Sequence, residues 1–162
     1  MKEFSSLTAF VEELIMQAKM VDAYAHRGLD EATKIIEECA KAEIGIYQDA
    51  VGEFNAWDEL ADSTKSDRVQ QGYSENEPLL RSGELRDSIS REVGTREAVV
   101  GSDSDIMVYQ ELGTPTIPPR PVIGPAALRT SARVQVVIGE SVVEGLLYFA
   151  PGTLRKLSGA KE

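Results

Sequence analysis

The residues of this chain that could do chemistry are carboxylates, one cysteine, one histidine and an arginine set among prolines. Asp103 and Asp105 alternate with Ser102 and Ser104 faintly in the manner of a calcium loop, but the further oxygen ligands such a loop needs do not follow. Glu12-Glu13 and Glu37-Glu38 are neighbours within helical patterns, where adjacent side chains diverge, so they make solvated faces rather than an acid–base pair. With one cysteine (Cys39) and one histidine (His26), neither an intrachain disulfide, a multi-cysteine zinc site nor a histidine-based triad can be assembled. Cys39 reads as a small apolar residue in a helix, and His26 as a solvent-facing residue near a helix end. No phosphate-cradling glycine loop, dinucleotide fingerprint, HExxH pair or nucleophile elbow occurs. The expectation is a protein without catalytic activity, bound metal or cofactor.

Arg120 stands in the most unusual stretch, Glu111-Leu112-Gly113-Thr114-Pro115-Thr116-Ile117-Pro118-Pro119-Arg120-Pro121, with Tyr109 before it and Gly124-Pro125-Ala126 after it. Four of the seven prolines fall here, each locking φ and removing a backbone donor, so no long helix or central strand can run through. The expectation is an extended, polyproline-like connector with helices on both sides, closed before by Gly113 and opened after by Gly124-Pro125. Such a rail would present the Arg120 guanidinium to a partner.

The elements that must hold this rail follow from periodicity. Phe4, Leu7, Val11, Leu14, Ala18, Val21 and Ala25 recur at spacings of three and four, an amphipathic helix capped by Ser5 or Ser6 that faces the core or forms a coiled-coil-like arm. Gly28 reads as its end and Asp30 as the cap of a second helix through Ile46 and Ala50; one long helix tolerating Gly28 and Gly45 is the alternative. Periodicity is lost over 52–83, a long loop anchored by Trp57 and Leu60, which sit at the spacing of one helical turn, with Trp57 facing the core. Ile89, Arg91 and Val93 then alternate with Ser88, Ser90 and Glu92, and a valine-rich run ends at Gly101, giving a hairpin over about 85–101 with its turn at Gly94-Thr95. Ile106 to Leu112 forms a short helix ended by Gly113. A long helix is expected after Pro125, though Val134, Val136 and Ile138 also alternate as in a strand. Ser158 to Glu162 is a polar tail.

The fold class is therefore α+β: a small antiparallel sheet flanked by helices. A helical region over 1–51, a loop over 52–83, a core over 84–150 with its connector at 113–125, and a tail over 151–162 make one domain of 162 residues. The 17 basic against 27 acidic residues give a net charge of −10, which disfavours non-specific nucleic-acid binding. Residues 1–60 hold 13 acids and 5 bases, so a partner for that region should be basic or polar. No leader or bilayer-spanning run is apparent, and a reducing cytosol is the expected setting.

Several blocks together point to a family. Trp57-x-x-Leu60 with Ser63-Thr64, Pro78-Leu79-Leu80-Arg81-Ser82-Gly83-Glu84-Leu85-Arg86-Asp87-Ser88-Ile89, Val99-Val100-Gly101-Ser102, Tyr109-Gln110-Glu111-Leu112-Gly113-Thr114, and Pro118-Pro119-Arg120-Pro121 with Gly124-Pro125-Ala126 stand in that order. Their order resembles the neck and tail-completion proteins of tailed bacteriophages, over Trp57 to Arg129. Ser82 stands for the usual threonine, Leu112 for phenylalanine and Val122-Ile123 for Phe-Leu. The resemblance implies a non-enzymatic structural virion protein, made in the host cytoplasm, that forms a sixfold or twelvefold ring at the head–tail junction. Implied partners are copies of itself and the adjacent connector, tail-terminator or tail-tube proteins, with DNA passing through the lumen unbound and no membrane involved. The candidate assembly interface comprises Trp57, Arg86, Tyr109, Glu111, Gly113, Thr114, Pro118, Pro119, Arg120 and Pro121. A cytoplasmic protein-binding adaptor is the alternative, and a hydrolase using dispersed carboxylates the weakest reading.

Overall fold

The computed structural model describes residues 5–148, so the Phe4 start of the first stripe and the 151–162 tail lie outside the described residues. The fold is α+β, as the patterns imply. The first helix, α1 (Leu7–Glu43), runs 37 residues, or about 55 Å at 1.5 Å per residue. Ser6, in extended geometry, caps it by accepting from the Ala9 N–H at 3.1 Å. Two expected helices are thus one. Gly28 does not end α1 but lies inside it, and Asp30 is not a cap. The helix stops at Ile44, before Gly45, so Ile46 and Ala50 are outside it.

The reason is packing against the last helix, α5 (Ile123–Leu147). A Cβ on Gly28 would stand 2.8 Å from Ser141 Cβ, and one on Gly145 3.0 Å from the Val21 Cα, so the two backbones touch where a side chain has been removed. The helices run antiparallel: Glu43 meets Arg129 at one end, and Arg27 meets Glu144 near the other. The helix expected after Pro125 is thus found, and the strand reading of Val134 to Ile138 is not.

Between the long helices come α2 (Asp62–Gln70), α3 (Glu84–Asp87), the strands β1 (Ile89–Val93) and β2 (Ala98–Ser102), and α4 (Asp105–Leu112). The segment 52–83 therefore carries a helix; it begins at Asp62, beyond the Trp57–Leu60 pair, where no helical turn forms. The strands pair antiparallel with Ile89 opposite Ser102 and Val93 opposite Ala98, and Gly94 closes the turn by donating to Glu97 O at 2.8 Å. Arg91, on the inner face, crosses to α1, pairing with Asp30 and, at 3.1 Å, with Glu37. The core gathers Ala40 of α1, Ile44 just past its end, Trp57, Ile89, Met107, Val122 and Ala126. Among the described residues no helix is long and apolar enough to cross a membrane.

Candidate assembly surface

The proline stretch is not one extended rail. Gly113 ends α4 at φ 73°, a left-handed value that suits glycine, and the chain then makes a tight turn in which Thr114 and Ile117 form a β-bridge. Thr114 Oγ1 accepts from the Ile117 N–H at 3.0 Å and holds that turn. Only then does the chain run back along α4, where the Arg120 N–H donates to Gln110 O at 2.6 Å.

This reversal turns Arg120 inward. Its side chain is 5% exposed. Nη2 donates to Asp58 O at 2.9 Å and to Glu59 O at 3.2 Å, so the planar guanidinium staples the connector to the segment before α2. Arg120 is therefore not presented to a partner by its free rail, which corrects the expectation. Trp57 sits beside it, 6% exposed, its Nε1–H donating to Pro121 O at 3.1 Å; Trp57 and Pro121 both belong to the interior. Glu111 is also used internally. Its Oε1 accepts from the backbone N–H groups of Val122 (2.8 Å) and Ile123 (2.6 Å), capping α5, which has no capping side chain of its own. A carboxylate there also complements the positive end of the helix dipole.

What remains at the surface is apolar. Val108, Tyr109 and Leu112 share one face of α4 and are 49%, 52% and 77% exposed. Pro118 and Pro119 are exposed nearby, Pro119 against Gly113. Arg86 is exposed and, among the described residues, pairs with its neighbour Asp87 at 3.1 Å. Of the expected interface, then, Tyr109, Pro118, Pro119 and Arg86 lie outside, Gly113 and Thr114 shape the turn, and Trp57, Glu111, Arg120 and Pro121 lock the interior.

A second apolar surface lies on α1. Leu7, Val11, Leu14 and Ile15, at the i, i+4, i+7, i+8 spacing of one helical face, are 78%, 45%, 47% and 53% exposed. Among the described residues α5 meets α1 as far as Gln17, whose Nε2 donates to Leu146 O at 3.4 Å.

Sequence reasoning missed two buried charges. Arg68 of α2 is 4% exposed; its Nε donates to Ser74 O at 2.7 Å and its Nη2 to Leu80 O. It clamps a loop in which Leu79 takes a positive φ of 63°, a strained conformation for leucine. Arg68 and Arg120 line one groove of about 720 Å³ between α2, the start of α3, α4 and the 116–118 turn. Glu43, the second missed site, is buried at the foot of α1: Oε1 pairs with Arg129 and accepts weakly from Cys39 Sγ at 3.8 Å, while Oε2 is buried with no partner. Burial pushes the Glu43 carboxyl up against the lowering pull of Arg129, and burial beside Glu43 pushes the Cys39 thiol up as well. A thiol so shifted is a poor nucleophile. No signal in the sequence marks Arg68 or Glu43, since each lies among other charged residues of ordinary helical stretches.

Asp103 and Asp105 do not close on further acids: among the described residues no three His, Cys, Asp or Glu side chains gather as a metal site. Comparison with protein-family models, curated proteins and solved structures finds no match.

Proposed function

We propose that this protein is a structural virion component of a tailed bacteriophage, a neck or tail-completion protein that forms a ring at the head–tail junction and is needed for joining. The observation that carries this reading is convergence. Trp57, Glu111 and the Arg120-Pro121 pair come from three blocks of the resemblance, and the Trp57–Pro121 contact spans 64 residues of sequence, yet they interlock in one junction.

Two further features support it. A ring subunit must keep apolar surface for its neighbours, and the α4 face with Val108, Tyr109 and Leu112 does so. The net charge of −10 suits a lumen through which DNA slides, because phosphates are repelled rather than held. On this reading the chain acts by shape and contact rather than by chemistry, first in the host cytoplasm and then in the virion.

The test is a nonsense mutation in this gene in its parent phage or prophage, followed by electron microscopy of the lysate. Filled heads beside unattached tails are expected. Normal infectious particles would overturn the reading and leave a cytoplasmic protein-binding adaptor in its place.

A further inference from the structure

Helix α5 carries a second apolar stripe, turned away from α1. Leu128, Ala132, Val136, Gly139 and Val143 recur at spacings of four and three, the seam of a helix that packs on another helix. At 3.6 residues per turn the stripe lies across α5 from Ser141 and Gly145, the residues that α1 packs against. Leu128, Val136 and Val143 are 44%, 56% and 48% exposed, and Ala132 and Gly139 are exposed between them. A Cβ on Gly139 would meet nothing within 4 Å.

Two charges border this seam on one side. Arg133 and Glu140 are both exposed, and among the described residues neither has an ion-pair partner. Arg27, which shares a cleft with Glu140, pairs with Glu144 instead.

Size and charge together select the occupant. Two copies of α5 packed antiparallel, about a two-fold axis level with Val137 and Ile138, set Val136 against Gly139 of the other copy and Ala132 against Val143. Each layer then has a larger residue opposite a smaller one. The same register brings Arg133 of each copy beside Glu140 of the other, so two ion pairs form. A parallel pairing sets every residue against itself, which leaves a gap where Gly139 faces Gly139 and gives Arg133 no carboxylate. We infer that the outer stripe of α5 is a homodimer contact whose occupant is the same stripe of a second copy, antiparallel, with Arg133 and Glu140 pairing across the two-fold axis.

Such a contact is isologous, so it joins two copies and stops; a sixfold or twelvefold ring has to close through other surfaces. The inference therefore stands apart from the neck assignment.

The experiment follows the full chain by sedimentation over a concentration series. A reversible monomer–dimer equilibrium is expected of the parent. Arg133→Glu and Glu140→Arg, at exposed positions, are each expected to keep the parent's circular dichroism and to weaken dimerisation about tenfold, because two attractive pairs become repulsive. Combining the two reversals restores opposite charges and is expected to bring the affinity back to within about threefold of the parent. In a Cys39→Ser background, Val136→Cys chains mixed with affinity-tagged Gly139→Cys chains are expected to give a tagged–untagged disulfide on mild oxidation. A parent that is monomeric at every concentration, which would leave the stripe to a different partner, overturns the proposal. So does a double reversal no better than the single ones, or Val136→Cys chains that join only to each other, the parallel arrangement. A nonsense mutant without a head–tail phenotype removes the neck assignment and leaves this dimer to be judged by its own data.

Discussion

Replacing Glu111 tests whether the proline stretch is an internal lock. One carboxylate oxygen accepts from two backbone N–H groups at 2.8 and 2.6 Å, at the start of a 25-residue helix with no other side-chain cap. Val122 is 0% exposed, so water cannot readily replace the lost acceptor at its N–H. Hydrogen bonds to a charged group contribute roughly 1.5–3 kcal/mol each, and a lost cap alone costs about 0.5–2 kcal/mol. Because the two bonds share one oxygen they are not additive, and Glu111→Ala should cost about 3–4 kcal/mol. Glu111→Gln keeps an acceptor oxygen and loses the charge, so it should cost only about 1–1.5 kcal/mol. Urea unfolding followed by fluorescence of the one tryptophan, Trp57, measures both. For a chain of this size the alanine variant should also melt roughly 10 °C lower. An alanine variant within about 1 kcal/mol of the parent, or a glutamine variant as unstable as the alanine one, would refute the capping account.

Two other predictions follow from the long helices. Gly28→Ala should destabilise by about 1–3 kcal/mol despite the better helix propensity of alanine, because the new methyl group lands 2.8 Å from Ser141 Cβ; adding Ser141→Gly should recover much of the loss, read as a coupling in a double-mutant cycle. For Glu43, whose folded-state carboxyl is held above its ordinary range, the folded chain binds the proton more tightly than the unfolded one. Its contribution to stability is therefore fully present below the unfolded pKa and is lost as pH rises through the folded one. Urea midpoints measured upward from acid pH should fall across that window in the parent and fall less in Glu43→Gln; identical pH profiles would remove Glu43 as the cause.

The elements that depend on near neighbours were legible in the residues themselves. The alternation of Ile89, Arg91 and Val93 is the inner face of β1, Gly113 ends α4 because it accepts a positive φ, and Pro125 sits in the first turn of α5, where a missing donor does no harm. Each is a statement about backbone angles and spacing over a few residues. Gly28 shows where that logic stops: locally it is a helix breaker, and only the approach of Ser141, 113 positions later, makes it the residue that lets α1 continue. Arg120 shows the same for side chains. The prolines around it restrict φ, but they do not say where the guanidinium points, and a four-residue turn at Thr114 reversed the chain and buried it against carbonyls some 60 residues away. Sequence by itself determined the α+β class, the hairpin, α4 and the last helix; tertiary structure decided that α1 runs on through Gly28, that 52–83 holds α2, and which charges are spent inside, because burial and partner choice are set by contacts between segments that no local pattern encodes.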